Sequence, residues 1–301
     1  MRRCLPWFPL VIVIVVLLFS RAQAQGRIDC NVFESRILGQ TVHYCVMLPP
    51  GYDAATAGLS RRRYPVLYYL HGLGDNEQTL FKSGGWNVIE DLRQQGQIGS
   101  FLVVAPEGRS SFYINSADGR LRYSDFFLRE FLPYIETRYS IRRERSARGI
   151  TGVSMGGYGA LRFAFAHPEL FSSVSAQSAA IITASPQETT AAMHSGTSLD
   201  RMLGAVFGDP IDVSHWEQNS LFVLARKNRL RLAGLSIYFN CGREDEFGFE
   251  KGAAALDRQL QAEAIPHEFH LYPGNHDSAY FLSHLGETLR FHSRVFASGK
   301  Q

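Results

Sequence analysis

The sequence predicts a three-layer α/β sandwich with a mostly parallel central sheet. Three observations carry this prediction: short apolar runs recur along the chain, helical patterns with an apolar face lie between them, and two early segments form a hairpin pattern. Apolar runs of this length are typical of strands that helices cover on both faces. With 301 residues, 45% hydrophobic and 20% charged, the chain is long enough for one large domain, and its composition excludes a disordered or fibrous protein.

The predicted elements follow in order along the chain. Segments 28–38 and 41–48 form an antiparallel hairpin joined at Gly39-Gln40. Strands are predicted at 65–70, 101–105, 147–153, 171–176, 235–241 and 267–272, and helices at 124–139, 155–167, 250–264 and about 278–296. Residues 183–233 break the alternation with several polar helical segments. They predict a helical lid inserted into a single domain that spans 25–301.

Residues 1–24 have the features of a cleavable signal peptide. A basic start precedes the apolar run Leu10–Phe19, and small residues at Ala22 and Ala24 follow at the position of cleavage. That run is short for a membrane span, which needs about twenty residues, although Arg21 leaves an uncleaved anchor open. We therefore expect a secreted or periplasmic protein, cut after Ala24, without stable membrane insertion.

The charge balance disfavours one class of partner. The chain has 31 basic and 28 acidic residues, and the predicted signal peptide carries three arginines and no acid, which leaves 28 against 28. Without a basic excess, no nucleic-acid partner is expected.

The cysteine pattern is less informative. Three cysteines remain after the predicted cleavage: Cys30, Cys45 and Cys241. A two-residue turn at Gly39-Gln40 would place Cys45 opposite Glu34, so the pattern does not require a disulfide between the first two. Their spacing predicts no zinc site, and no metal is expected.

A nucleophilic serine is predicted at Ser154. The segment Gly152–Gly156 matches G-x-S-x-G, and it lies where a predicted strand ends and a helix of small residues begins. This strand–turn–helix context presents a serine hydroxyl above the sheet, and the helix start supplies free backbone N–H groups. A serine helix cap with glycines for close packing is the structural alternative. The context favours the nucleophile.

A base and an acid for this serine are predicted on two later loops. His276 follows the last strand and precedes the last helix, whereas other histidines lie within strands and helices. Asp245, flanked by Glu244 and Glu246, follows the preceding predicted strand. The order serine, acid, histidine is a known order of such a triad. Asp245 is the predicted acid, and both glutamates remain alternatives.

Two backbone N–H groups are predicted to bind the oxyanion. His71-Gly72-Leu73 follows the third predicted strand, where one donor of such a site is expected, and the Leu73 N–H would supply it. The Met155 N–H, directly after the nucleophile, would supply the second. The alternative for His71-Gly72 is an ordinary turn.

Together these residues resemble a known family. Four segments carry the resemblance to the esterase D-like branch of the α/β-hydrolases, which includes S-formylglutathione hydrolases, feruloyl and acetylxylan esterases and mycolyltransferases: Leu48–Tyr52, Leu70–Gly72, Gly152–Tyr158 and Gly274–His276. The similarity runs from about Ile28 to Phe296. It implies the α/β-hydrolase fold, the triad Ser154, Asp245 and His276, the donors Leu73 and Met155, and acyl transfer to water or an alcohol without a metal or other cofactor.

The resemblance also indicates candidate substrate contacts. Ser111-Phe112-Tyr113 is similar to a segment beside the active site of family members, so Phe112 and Tyr113, with His71, are expected to bind substrate. We expect a secreted serine carboxylesterase acting on an acylated carbohydrate or on a feruloyl or acetyl ester. The alternatives are an exported acyltransferase that uses a sugar alcohol and, against an intact triad, an inert binding module.

Overall fold

The structure is a computed structural model that describes residues 26–52, 62–193 and 197–299. The predicted signal peptide and its cleavage site lie outside the described residues. Within them, one sheet with helices on both faces confirms the predicted three-layer α/β sandwich.

Eight strands form the sheet. They are β1 Arg27–Ser35, β2 Gln40–Leu48, β3 Val66–Leu70, β4 Leu102–Pro106, β5 Arg148–Val153, β6 Ser173–Gln177, β7 Ser236–Gly242 and β8 Glu268–Tyr272. Their order is β1-β2-β4-β3-β5-β6-β7-β8. β2 pairs antiparallel with β1 and with β4, and every other pair is parallel. The carboxyl ends of β3 and of β5 to β8 therefore share one edge, where ligands bind in open α/β sheets.

The described residues form eleven α-helices. They are α1 Trp86–Gln94, α2 Tyr123–Phe126, α3 Leu132–Arg138, α4 Met155–Ala166, α5 Pro186–Ala192, α6 Ser198–Phe207, α7 Val213–Asn219, α8 Leu221–Lys227, α9 Arg229–Leu232, α10 Phe249–Ala262 and α11 Ser278–Ser298. Single π-helical turns precede α1 and α3, and a 3-10 turn precedes β5.

Each face of the sheet has its own hydrophobic core. In β3, Val66, Tyr68 and Leu70 belong to one core and Leu67 and Tyr69 to the other, because successive strand residues point to opposite faces. Residues of α2, α3, α4, α8 and α10 cover the first core, and residues of α1 and α11 cover the second. Burial on both faces explains why these strands are continuous apolar runs.

The hairpin has a different register from the one that a Gly39-Gln40 turn predicts. Ser35 pairs with Gln40, so the turn consists of residues 36–39. As a result, Cys45 lies opposite Cys30 and not opposite Glu34. The two cysteines form a disulfide. Cys241, by contrast, is a buried free thiol.

Glu130 holds this wider turn. Its carboxylate accepts hydrogen bonds from the Ser35 hydroxyl at 2.6 Å and from the backbone N–H groups of residues 36 and 37 at 3.2 and 3.3 Å. Glu130 is about 95 residues away in sequence. The register is therefore set by a tertiary contact that a local turn pattern does not contain.

The segment between β6 and β7 consists of short helices and connecting loops where the structure describes it. It contains α5 to α9 and, within the described residues, no strand. Apolar residues of α6 and α8 join the first core, and α8 packs on α4. These helices lie where the helical insertion was predicted; their action as a lid stays a prediction.

Candidate active site

Ser154 occupies the sharp turn between β5 and α4. It has φ 54° and ψ −120°, a conformation that costs energy for a residue with a Cβ atom and that is concentrated at functional sites. Its N–H donates to the carbonyl of Gln177 on the neighbouring strand at 2.9 Å, and its own carbonyl accepts from Ala180 at 3.0 Å. The turn is therefore fixed at the carboxyl edge of the sheet.

The glycines around Ser154 are required by packing. A Cβ atom at Gly152 would overlap the carbonyl of Gly156, and one at Gly156 would overlap the carbonyl of Leu70. Backbone atoms block both positions, so no side-chain rearrangement would make room. The G-x-S-x-G pattern is thus what allows β3, β5 and α4 to meet so closely at the serine.

Asp245 and His276 are hydrogen-bonded to each other across two loops. Nδ1 of His276 lies 2.7 Å from Oδ2 of Asp245, and Oδ1 accepts the Phe247 N–H at 3.1 Å. The His276 side chain is 8% exposed and that of Asp245 is 0% exposed. Because the carboxylate binds Nδ1, Nε2 is the ring nitrogen left to exchange a proton with a neighbouring hydroxyl.

The surroundings of Asp245 favour its ionised form. Burial acts to raise the pKa of Asp245, but the hydrogen bond from His276, the charge of His276 and the Phe247 N–H together lower it further, so the pKa lies below its ordinary value. The Cys241 sulfur also lies 3.5 Å from Oδ2. Burial raises the pKa of Cys241 to about 12, so it remains a thiol and a weak donor to Asp245.

The two neighbouring glutamates lie elsewhere. Glu244 is exposed and accepts the backbone N–H of Gly274 at 2.6 Å, and Glu246 is exposed. Of the three adjacent carboxylates, Asp245 is the one that is buried and bonded to His276.

A series of contacts links the serine turn to the histidine loop. The Ser154 N–H donates to Gln177, whose side-chain amide donates to the carbonyl of Phe281 at 3.1 Å. The Phe281 ring packs edge-on against the His276 ring, with 5.2 Å between the ring centroids. The rings of Phe247 and Phe249 pack against the same imidazole with centroid distances of 4.9 and 5.4 Å, so the imidazole is held between phenylalanines.

The loop after β3 lies against the serine turn. A Cβ atom at Gly72 would be 3.5 Å from that of Ser154. The Leu73 N–H, next in the chain, donates to none of the described residues, and Leu73 as a whole is 41% exposed. Met155 begins α4, so its N–H has no acceptor within the helix. Two free backbone donors beside a serine are what an oxyanion hole requires.

His71 supports this loop from inside the protein. The Gly108 N–H donates to its Nε2 at 2.7 Å, so the proton lies on Nδ1, which donates to the Gly72 carbonyl at 2.8 Å. Burial lowers the pKa of His71 more than its neighbours raise it, which keeps the ring neutral. Fully buried and with both nitrogens bonded, His71 has no free group for a substrate. This corrects the expectation of a direct contact.

Tyr113 is also placed behind the loop. It is fully buried, and its hydroxyl donates to the His71 carbonyl at 3.0 Å. Ser111 accepts the Tyr113 N–H at 3.0 Å and donates to the Gly108 carbonyl at 2.7 Å. The segment is strained, with φ 50° at Phe112 and 59° at Tyr113. The expected substrate contact of Tyr113 is therefore replaced by a contact with the His71 backbone.

A small apolar cavity of about 30 Å³ lies next to the serine turn. Tyr158 and Ala180, which both donate their N–H groups to the Ser154 carbonyl at 3.0 Å, form part of its wall. The other apolar lining residues come from the loop after β4, the segment after β6 and the helices α6 to α8: Phe112, Ile181, Ile182, Phe207, Trp216, Leu221 and Phe222. Phe112 is the one predicted substrate contact that reaches this cavity.

The described residues contain neither a cluster of metal-ligating side chains nor a membrane-spanning helix. No group of three or more His, Cys, Asp and Glu side chains there is arranged to hold a metal ion. In the same residues, no helix combines the length and the hydropathy needed to cross a membrane.

Comparison with curated proteins finds esterases. An esterase of Mycobacterium tuberculosis is 28% identical over 265 residues, which is 81% of this chain and 54% of that protein. An acetyl esterase of Caldicellulosiruptor saccharolyticus is 26% identical over 237 residues, covering 76% of this chain and 84% of that one. The chain spans about half the length of the mycobacterial relative.

Comparison with solved structures and family models agrees with the fold. A ferulic acid esterase superposes with a TM-score of 0.75 at 24% identity, covering 91% of this chain and 99% of that chain. A family model described as "Putative esterase" matches residues 35–292, which is most of the sequence. The chain therefore belongs to this esterase family, and its fold is that of the α/β-hydrolases.

Proposed function

We propose that this protein is a serine carboxylesterase that acts outside the cytoplasm, with Ser154 as nucleophile, His276 as base and Asp245 as acid. The observation that carries the proposal is the buried 2.7 Å hydrogen bond between Asp245 and His276, at the sheet edge where Ser154 occupies a strained turn. An ionised, buried acid on Nδ1 selects the tautomer in which Nε2 accepts a proton. Family membership supports an ester as the substrate.

The proposed reaction has two steps. Nε2 of His276 takes the Ser154 hydroxyl proton while Oγ bonds to the ester carbonyl carbon. The carbon–oxygen bond to the alcohol then breaks, and the alcohol leaves with the proton from His276. Water attacks the acyl-enzyme, gives a proton to His276 and releases the carboxylic acid, and Ser154 recovers its proton.

The oxyanion is assigned to the Leu73 and Met155 N–H groups. Both are free donors beside Ser154, and each typically contributes about 10²–10³ in rate. His71 and Tyr113 are assigned as positioning residues, because their hydrogen bonds hold the Gly72–Leu73 backbone from behind. Their effect on the reaction acts through Leu73.

Action outside the cytoplasm has two supports. Residues 1–24 have a signal-peptide pattern. The disulfide between Cys30 and Cys45 is typical of proteins that fold in an oxidising compartment, and rare in the cytosol.

Carbohydrate esters of short or aromatic acids are the proposed substrates. The acetyl esterase relative and the ferulic acid esterase with the same fold are named for these two acyl groups. The apolar cavity next to the serine turn is the candidate site for the acyl group.

The test is Ser154→Ala in the mature protein, with Ser298→Ala, an exposed serine at the end of α11, as the matched control. Rates are measured on 4-nitrophenyl acetate, methyl ferulate and an acetylated xylo-oligosaccharide. We expect Ser154→Ala to lose about 10⁴-fold or more in kcat while circular dichroism remains native, and Ser298→Ala to keep the wild-type rate. Retained turnover in folded Ser154→Ala would overturn the assignment. Product analysis with a free sugar acceptor separates hydrolysis from acyl transfer.

A further inference from the structure

A second, polar cavity lies on the other side of α7 from the apolar one. This basic groove has a volume of about 660 Å³ and lies between the loop 115–122, α4, α7 and α8. Its charged lining residues are Arg122, Arg162, Glu217 and Lys227. The groove is open and large enough for a sugar ring, in contrast to the cavity beside Ser154.

Arg162 is a part-buried cation that forms no ion pair within the described residues. Its Nε donates to the Asn219 side-chain oxygen at 3.1 Å and its Nη1 donates to the Ser124 hydroxyl at 2.9 Å, and both acceptors are neutral. Nη2 donates to none of the described residues. Burial lowers the pKa of Arg162, although Tyr158 and Asp125 oppose this shift, so the guanidinium has lost part of its hydration.

The nearby carboxylate is already engaged by other arginines. Asp125 lies 2.5 Å from Arg122 and 3.5 Å from Arg129. The groove lining thus has three cations and one carboxylate, and Asp125, which is not part of the lining, pairs with Arg122. A partly desolvated arginine with free donors, in a groove that a lysine also lines, is suited to an oxyanion of a ligand.

The groove is positioned to receive a remote part of the proposed substrate. Arg162 follows Ser154 by eight residues on α4, about 12 Å along the helix axis. Tyr158 lies between them, and its hydroxyl donates to the Asn219 carbonyl at 2.8 Å. Asn219 forms part of the wall of both the apolar cavity and the basic groove. A short oligosaccharide with its ester at Ser154 would have to extend past Tyr158 and Asn219 to reach the groove.

We propose that the basic groove binds the carboxylate of an acidic sugar, so that the preferred substrate is an ester on a saccharide that carries a uronic acid. The proposal rests on the proposed esterase function. The sugar carboxylate accepts hydrogen bonds from the free Arg162 donors and forms an ion pair with Lys227. The hydroxyl groups of the ring form hydrogen bonds with polar lining residues such as Asn115 and Gln218.

The first experiment measures binding by saturation-transfer NMR on the mature Ser154→Ala protein, which does not require turnover. The probes are sodium glucuronate, glucose as the neutral match and inorganic phosphate. We expect transfer to glucuronate and little to glucose. Equal signals from glucuronate and glucose would overturn the proposal. Phosphate is added as a competitor, and the proposal would also be overturned if phosphate displaced glucuronate as well as glucuronate itself does, because the sugar ring would then add nothing to binding.

The variants are Lys227→Gln and, as a matched control, Arg226→Gln. Both residues are exposed neighbours on α8, but Lys227 lines the groove whereas Arg226 lies 3.6 Å from Glu263. Lys227→Gln should weaken glucuronate binding about two- to fivefold, the range for one exposed ion pair, and Arg226→Gln should not. Arg162→Gln should weaken it further, and because Arg162 also joins Ser124 and Asn219, its native fold is checked by thermal melting.

Kinetics separate this inference from the proposed function. Acetylated xylo-oligosaccharides with and without a glucuronic acid branch are compared at about 10 mM and about 1 M salt, which screens charges beyond about 3 Å. We expect the acidic substrate to have a lower KM than the neutral one at low salt. This difference in KM should disappear at high salt and become smaller in Lys227→Gln, and kcat should be unchanged. Equal KM values with Ser154-dependent turnover would overturn the inference alone. Absence of any Ser154-dependent turnover would overturn the proposed function. The saturation-transfer NMR experiment would still show whether the groove binds an acidic sugar.

Discussion

The two sides of the candidate site are built in different ways. On the proposed acid–base side, the side chains of Asp245 and His276 are joined by one 2.7 Å hydrogen bond. On the proposed oxyanion side, the group assigned to the reaction is the backbone N–H of Leu73, and the two residues assigned to position it, His71 and Tyr113, are buried. A side-chain acid or base can be recognised in the sequence from its residue type. A backbone N–H group is present at almost every residue, so its role can be recognised only from the contacts that fix its position.

The difference predicts how each side responds to substitution. Removing a side chain on the acid–base side removes a chemical group, and the loss should be large. A substitution behind the oxyanion loop leaves the N–H group in place and loosens only its position, so the loss should be moderate and confined to kcat.

Asp245→Asn should have the largest effect. The amide cannot stabilise an imidazolium and can favour the wrong tautomer of His276, so we expect kcat to fall about 10³–10⁴-fold. The matched control is Glu246→Gln, which removes a charge one residue away at an exposed position and should stay within about twofold. Steady-state kinetics on 4-nitrophenyl acetate measure both. A large loss in Glu246→Gln with a small loss in Asp245→Asn would reverse the assignment of the acid.

Tyr113→Phe should have an intermediate effect. It removes the 3.0 Å hydrogen bond to the His71 carbonyl, and such a bond is worth about 1 kcal/mol, which corresponds to a kcat reduction of about threefold to tenfold if the loop shifts accordingly. KM should stay unchanged, because Tyr113 is fully buried.

Tyr123→Phe is the control for this prediction. Tyr123 is also buried and packs against Tyr113 at 5.2 Å, but its hydroxyl donates to the Glu107 carbonyl. It should lose a similar stability and keep kcat. If Tyr113→Phe instead raises KM at constant kcat, Tyr113 contacts the substrate and the positioning role is wrong.

Removing the disulfide should have the smallest effect on activity. Cys30 and Cys45 are 15 residues apart, and closing a loop of that size stabilises a protein by roughly 3 kcal/mol. We expect the double alanine variant to lose about that much free energy of unfolding in urea. Because both cysteines lie in the edge hairpin, its kcat/KM at 25 °C should match wild type within about twofold. A larger loss of activity in the folded variant would connect the hairpin to the site.

Most of the fold was predictable because β3 to β7 are buried on both faces. β3 to β8 each lie within about two residues of the predicted apolar runs, and α4 and α11 begin at Met155 and Ser278 as the pattern indicates. The hairpin register was wrong, because Glu130 fixes the turn through a contact made only after folding. No local signal at Gly39-Gln40 distinguishes the two registers.

The candidate site was predictable to the extent that it depends on residue type and chain order. The structure joins Asp245 to His276, as the sequence proposes, and places both glutamates elsewhere. The sequence missed the burial of His71 and Tyr113 and the thiol of Cys241 beside Asp245, because these depend on how loops pack. Gly108 and Gly159 have no room for a Cβ atom beside the Tyr113 ring, but a glycine in the sequence does not identify the residue that packs against it.

The left-handed backbone of Ser154 has a consequence for protein engineering. A residue with a Cβ atom in such a conformation typically costs about 1–3 kcal/mol, which glycine would avoid. A design method that optimises stability alone would therefore replace Ser154 with glycine, and the product would fold better than the natural chain while lacking the hydroxyl. At this position thermostability and chemistry select different amino acids, so a library ranked by melting temperature would discard the residue that we assign as the nucleophile.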